Sequence, residues 1–182
     1  MLILASGSPR RRELLSLITD EFEVLVSGCD EFVPEGTPAE KVPAILAEQK
    51  ALAVAKLRPE DTVIGSDTVV VLNNEIFGKP KDKPHAHAML KALSGKKHFV
   101  YTGVAVAEKG SVRSFVQKTE VEFYELSDET IEKYIATGEP MDKAGAYGIQ
   151  GKGSVLVKGI IGDYFNVMGL PVAETARFLG LV

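Results

Sequence analysis

Three consecutive arginines, Arg10, Arg11 and Arg12, follow Ser6-Gly7-Ser8-Pro9 near the start of the chain, at a position electrostatically unsuited to a free helix. Ser8 reads as an N-cap and Pro9 as the first helical residue, because proline lacks the N–H that goes unsatisfied there. The arginines then occupy the first turn, where the helix dipole already supplies roughly half a positive charge and each added cation costs on the order of 0.3–1 kcal/mol. A capping box would place Glu or Gln three residues after Ser8, where the sequence has Arg11. Helix N-terminal amides, small residues that admit a ligand to the backbone, and guanidinium forks together make a polyphosphate site. The competing reading is a solvated basic turn.

Asp67 is the next candidate. It interrupts the apolar run Thr62-Val63-Ile64-Gly65-Ser66-Asp67-Thr68-Val69-Val70-Val71, where an unpaired ionised carboxylate is costly to bury. Function explains it, or else a strand-end hydrogen bond to a neighbouring loop does. Asp30 and Glu31 close the acidic stretch Ser27-Gly28-Cys29-Asp30-Glu31 directly after a β-rich segment. They can share with Asp67 the strand-end crevice in which open α/β sheets bind ligands. Carboxylates beside a phosphate-binding helix suggest Mg²⁺ or Mn²⁺, since hard cations take oxygen ligands and bridge protein to phosphate; a solvated acidic turn is the alternative. Lys50, Lys79, Lys143 and Lys152 are further phosphate candidates, Lys79 foremost because the Gly78-Lys79-Pro80 frame fixes its backbone.

Other chemistries find less support. Gly148 to Ser154 superficially suggests a Walker A loop, but Ala146 stands where its first glycine belongs and Gly153 follows Lys152. His85 and His87, two apart on a helix, point to different faces and with His98 make no metal set. Cys29 is the only cysteine and has no neighbour that argues for a nucleophile.

Positioning these residues requires an α/β chain. A short strand ends at Ala5, a helix runs from Pro9 to about Ile18, and Phe22 to Val26 is β-rich. Thr37 and Glu40 form a capping box, with Pro38 at the first position, for a helix reaching about Lys56, which Pro43 breaks or restarts near its beginning. Residues 62–71 read as a central strand covered on both faces, and Asn73-Asn74 turns the chain into Glu75-Ile76-Phe77. A helix from Lys83 to Leu93 closes at Gly95. His98 to Ala107 and Val112 to Tyr124 form a long hairpin. A helix capped by Ser127 stops at Gly138, residues 154–161 form a strand, Gly162-Asp163-Tyr164 a turn, and Pro171 to Leu179 the last helix. The reading is one α/β domain over residues 1–182 with a mixed sheet.

Composition narrows the class. In 182 residues, 21 Lys and Arg against 25 Asp and Glu give a net charge of −4, which disfavours general nucleic-acid binding. A lone cysteine and no apolar run approaching the ~18 residues of a bilayer span point to a soluble, cytoplasmic protein without a membrane partner.

The assembled motifs resemble the Maf family of nucleoside triphosphate pyrophosphatases. The matching pieces are Ala5 to Leu15, Gln49-Lys50-Ala51, Gly65-Ser66-Asp67-Thr68-Val69-Val70, Gly78-Lys79-Pro80, Met141 to Gly151 and Gly162 to Pro171. The resemblance implies an elongated α/β fold with a twisted mixed sheet flanked by helices, related to inosine triphosphate pyrophosphatases, and a homodimer. It implies hydrolysis of nucleoside triphosphates to monophosphate and pyrophosphate with a divalent cation, Mg²⁺ or Mn²⁺. Asp67 would be the general base, Ser8, Arg11, Arg12, Lys50 and Lys79 would hold the triphosphate, and Asp30 or Glu31, with Asp67, would place the metal. The similar branch acts on dTTP and UTP, with modified pyrimidine nucleotides as further candidates, and its specificity positions correspond to Arg11, Thr68 and Gln150. A glutamine amide offers both a donor and an acceptor to a thymine or uracil edge. Ser66 departs from the commoner alanine. The alternative function is a nucleotide-binding regulator of septum formation, since the family is also named for inhibiting it.

Overall fold

A computed structural model describes residues 1–26 and 28–182. Seven strands form one mixed sheet in the order β2-β1-β3-β5-β6-β7, with β4 on β3. They are β1 (Leu2–Leu4), β2 (Glu23–Val24), β3 (Thr62–Leu72), β4 (Glu75–Phe77), β5 (Lys97–Glu108), β6 (Ser111–Phe123) and β7 (Val157–Ile161). The helices are α1 (Pro9–Ser16), α2 (Val42–Ala55), α3 (Lys83–Leu93), α4 (Asp128–Ala136), α5 (Tyr164–Met168) and α6 (Val172–Phe178). Strand β1 runs parallel to β2 and β3, whereas β4 on β3 and β7 on β6 are antiparallel. Among the described residues no helix is long and apolar enough to cross a membrane.

The contacts divide into two compact units. One comprises Met1–Thr68, Thr102–Gln117 and Gly169–Val182; the other comprises Val69–Tyr101 and Lys118–Met168. Strands β3, β5 and β6 run through both. In the first unit Ala47, Ala51 and Val54 of α2 pack with Ile3, Val63, Ala105 and Ala107. These small side chains bring helix and strand very close: a Cβ on Gly65 would collide with the Ala47 carbonyl and crowd Ala51. In the second unit Leu90 and Leu93 of α3, Ile131 and Ile135 of α4, and Phe123 and Tyr147 share a core.

Turn chemistry agrees with the sequence at most junctions. Asn73 and Asn74 both have positive φ (51° and 68°), as a two-residue hairpin turn requires. Gly138 stops α4 in the left-handed region, and Asp82 and Ser127 cap α3 and α4. Three expectations fail. The Thr37 hydroxyl donates to the Pro34 carbonyl at 2.6 Å instead of capping α2, so residues 39–41 form a 3₁₀ turn and the α-helix starts at Val42 with Pro43 in its first turn. Residues 154–156, expected as the start of a strand, instead belong to a 3₁₀ stretch, Gly151–Leu156, before β7. The turn expected at 162–164 opens the short helix α5, whose first amides include Phe165 N–H donating to Asp163 Oδ1 at 2.8 Å.

Candidate active site

The arginine-headed helix is built as its sequence suggests. Strand β1 ends where Ala5 N–H donates to the Ile64 carbonyl at 2.7 Å, and Ser6-Gly7 carries the chain to the cap. Ser8, in extended conformation, offers its hydroxyl to Arg11 N–H, and Pro9 opens α1. No acidic residue occupies the first turn. The Arg11 guanidinium instead donates to the Gly169 carbonyl at 2.9 Å, the Ser6 hydroxyl at 3.3 Å and the Thr68 hydroxyl at 3.1 Å. All three acceptors are neutral. Burial therefore lowers the Arg11 pKa; Asp67 and Glu31 oppose the shift and Arg10 reinforces it. A guanidinium stays charged in such a place, so a positive charge hydrogen-bonded to these neutral acceptors stands at a helix N-terminus.

Ser6 organises this turn, a role its type alone did not reveal. Its buried hydroxyl also accepts from Ser8 N–H at 3.3 Å. Gly169, with φ of 121°, presents the carbonyl that receives both Arg11 and the buried Ser66 hydroxyl, the latter at 3.2 Å. The Ser66 hydroxyl is thus part of the scaffold under Arg11. Thr68 meets Thr102 across β3 and β5 at 2.9 Å, which fixes the acceptor that Arg11 uses.

Asp67 and Thr68 are the two half-exposed positions in the middle of β3. The close approach of α2 at Gly65 brings Lys50, on the next turn after Ala47, over the strand. Its ammonium lies 2.5 Å from Asp67 Oδ1 and 3.1 Å from Glu31 Oε1. Side-chain exposures of 19% for Lys50 and 14% for Asp67 make this a largely desolvated pair, while Glu31 is 46% exposed. Gln49 fixes the Glu31 loop. Its amide accepts from Phe32 N–H at 2.9 Å and donates to the Phe32 carbonyl at 2.5 Å, so a side chain replaces a strand partner for the residue after Glu31. The sequence patch Gln49-Lys50-Ala51 was visible, but not that Gln49 would hold a loop seventeen residues away.

Two carboxylates converging on one ammonium suit a hard divalent cation that takes its remaining ligands from phosphate and water. Among the described residues no group of three or more His, Cys, Asp or Glu could hold a metal ion, so such a cation would depend on the substrate's oxygens. Glu31 has the stronger claim as a ligand, because it reaches Lys50 whereas Asp30 is simply exposed. Ser27, at the head of the same acidic stretch, lies outside the described residues. Arg12 is exposed and lines a hollow of about 340 Å³ with Ser16, Asp20, Phe22 and Val24. The three histidines do separate work. His85 Nδ1 accepts from Lys81 N–H at 3.1 Å, His87 lies 3.6 Å from Asp128, and His98 is a core residue.

Lys79 and Gln150 belong to the second unit, where Lys79 follows β4 and the exposed Gln150 precedes the 3₁₀ stretch. Around Gln150 the loop is organised by Glu139, a residue the sequence did not single out. Glu139 Oε1 accepts from the Tyr134 hydroxyl (2.9 Å) and Gly153 N–H (3.0 Å), and Oε2 from Lys152 N–H (3.0 Å). Burial pushes its pKa up, but the Lys152 N–H, the Tyr134 hydroxyl and the Gly153 N–H outweigh that and leave it below the ordinary glutamate value.

A cationic helix N-terminus is joined through Thr68 to a strand bearing an ion-paired aspartate, within a mixed α/β fold. Residues 1–182 match the family model described as Maf-like protein, and the chain belongs to that family. A dTTP/UTP pyrophosphatase of Geobacillus sp. strain WCH70 is 53% identical over 97% of this chain and 95% of its own length. One from Bacillus cytotoxicus is 54% identical, covering 97% and 93%. Among solved structures, the Ham1 protein of Staphylococcus aureus aligns over 67% of this chain and 71% of its own at 18% identity and a TM-score of 0.48.

Proposed function

We propose that the chain is a nucleoside triphosphate pyrophosphatase that converts dTTP and UTP, and modified pyrimidine triphosphates of similar shape, to the monophosphate and pyrophosphate. Two relatives that are 53% and 54% identical over 97% of the chain, both named dTTP/UTP pyrophosphatase, support the substrate class. The observation that carries the mechanism is the Asp67–Lys50–Glu31 cluster, joined through Thr68 to an Arg11 guanidinium that donates to the neutral Gly169 carbonyl and Ser6 and Thr68 hydroxyls.

The triphosphate lies against the α1 N-terminus, with Ser8, Arg11 and Arg12 and the lysines Lys50 and Lys79 balancing its charge. Asp67 takes a proton from the water that attacks the α phosphorus. As the new O–P bond forms, the α–β bridging bond breaks and its electrons leave with pyrophosphate. Lys50, already in contact with Asp67, keeps positive charge beside the water and the phosphorus. Glu31 and Asp67, with Asp30 the further candidate, would hold an Mg²⁺ or Mn²⁺, which would supply additional positive charge against the phosphates. Electrostatic stabilisation of this kind is the main contribution in phosphoryl transfer. Thr68 and Arg11, with the Gln150 amide, read the pyrimidine edge.

A panel of nucleoside triphosphates incubated with purified protein and Mg²⁺ or Mn²⁺ tests the reading: UTP and dTTP release pyrophosphate and monophosphate, and no pyrophosphate from any nucleotide overturns it. The family resemblance also supports a homodimer. Sedimentation equilibrium checks this, and a single species at the chain mass of 19.6 kDa would contradict it.

A further inference from the structure

The loop that carries Gln150 is folded around a carboxylate. Three donors converge on Glu139: the Tyr134 hydroxyl and Gly153 N–H on Oε1, and Lys152 N–H on Oε2. The Tyr134 oxygen in turn accepts from Gly148 N–H at 3.1 Å, so amides on both sides of Gln150 are tied to one side-chain pair. The glycines permit this packing. A Cβ on Gly151, whose φ is +80°, would stand 2.9 Å from Glu139 Oε2, and one on Gly153 would meet the Gly148 carbonyl and the Tyr134 hydroxyl. Ile149 is buried beside the exposed Gln150, which sets which side chain faces out. Successive backbone amides curled around an anion form a nest. Here the anion is the protein's own, and it is anchored further by Lys143 Nζ donating to the Glu139 carbonyl at 2.7 Å.

We infer that Glu139 is a specificity-positioning residue: through Lys152, Gly153 and the Tyr134 hydroxyl it holds the 148–153 loop in the one shape that presents the Gln150 amide to the pyrimidine edge. This rests on the reading of Gln150 given above. Glu139 itself touches no substrate. It acts by keeping a hydrogen-bonding side chain from sampling orientations that would suit other bases as well.

The test compares Glu139→Gln, Tyr134→Phe and Gln150→Ala, singly and with Glu139→Gln combined with Gln150→Ala. It measures kcat/KM for UTP and CTP and amide hydrogen exchange at Lys152 and Gly153. In Glu139→Gln an NH₂ replaces one acceptor oxygen and faces a backbone donor. Exchange at the two amides rises, and the UTP-to-CTP preference falls about tenfold, the order expected when a base-reading hydrogen bond loses its geometry. Tyr134→Phe moves the ratio the same way by less, and it carries the test if Glu139→Gln does not fold. The double variant falls no further than Gln150→Ala alone, as expected when one residue acts through the other. Faster exchange with a wild-type UTP-to-CTP ratio in Glu139→Gln, while Gln150→Ala loses the preference, overturns the inference and leaves the reading of Gln150 intact. A wild-type ratio in Gln150→Ala overturns both.

Discussion

Asp67 and Glu139 are two carboxylates set into well-packed surroundings and held in opposite ways. Asp67 faces one ammonium at the end of a flexible lysine stem, which it shares with Glu31. Glu139 receives two backbone N–H groups and a buried tyrosine hydroxyl. A lysine can be displaced by a water, a cation or a phosphate group at the cost of one rotamer change. Backbone amides can leave only if the loop unfolds. The first arrangement suits a group that must exchange partners during a reaction; the second suits one that must not. Burial and charge alone do not separate the two; the mobility of the partners does.

The largest expected effect breaks this comparison at its reactive end. Asp67→Asn keeps the size and one hydrogen-bonding oxygen but cannot accept the proton, so kcat falls by about 10²–10⁴, the range for loss of a general base. A thermal midpoint near that of the native protein, measured alongside, separates this from unfolding.

At the fixed end, acid is the probe. His98 packs edge-on to Phe123 and Tyr147, with Nε2 2.8 Å from the Tyr147 hydroxyl. Burial lowers its pKa from 6.5 to about 4, opposed by the Lys96 backbone, and burial raises that of Tyr147. The folded state keeps His98 neutral while the unfolded chain takes up a proton below pH 6.5. This contribution is therefore complete above pH 6.5 and is lost as pH falls toward 4, by about 3 kcal/mol in all. Urea unfolding at pH 7.5 and 4.5 measures it, and His98→Gln flattens the dependence. Glu139, depressed below its ordinary value, adds to the loss of stability in acid, so the difference between the two proteins isolates the histidine.

Removing the exchangeable partner is a smaller perturbation. Lys50→Met leaves Asp67 and Glu31 without the shared cation and costs about 1–3 kcal/mol, less than a fully buried pair because both ends retain some solvent. Chemical denaturation with and without Mg²⁺ checks it, and a divalent cation recovers part of the loss. Gln49→Ala is smaller still. Deleting two hydrogen bonds to the half-solvated Phe32 backbone costs about 1 kcal/mol, while the Mg²⁺ concentration for half-maximal activity rises several-fold as Glu31 loses its anchor. An unchanged Mg²⁺ dependence would show that the clamp is structural only.

Much of this was legible because local chemistry decides it. Ser8-Pro9 fixed the start of α1, Asn73-Asn74 the hairpin into β4, and the apolar run of β3 isolated Asp67. Misjudged boundaries arose where a local signal had a competitor. Thr37 has the pattern of a cap, but its hydroxyl donates to the Pro34 carbonyl, whereas the restart of the helix at Pro43 follows the sequence. Residues 154–156 have strand-like composition, yet they finish a 3₁₀ stretch that begins at Gly151, where the loop bends around Glu139. The site was legible as a set of residue types and not as a set of partners. Glu139, Gln49 and Ser6 are ordinary polar residues in sequence, and their roles exist only through hydrogen bonds to backbone groups that the fold brings to them.

The proposed reaction has water attack the α phosphorus. Hydrolysis of UTP in ¹⁸O-labelled water with Mg²⁺, followed by mass spectrometry of both products, tests it most directly. Attack at the α phosphorus puts the label in UMP and leaves pyrophosphate unlabelled. Label in pyrophosphate, or release of orthophosphate in its place, would contradict it.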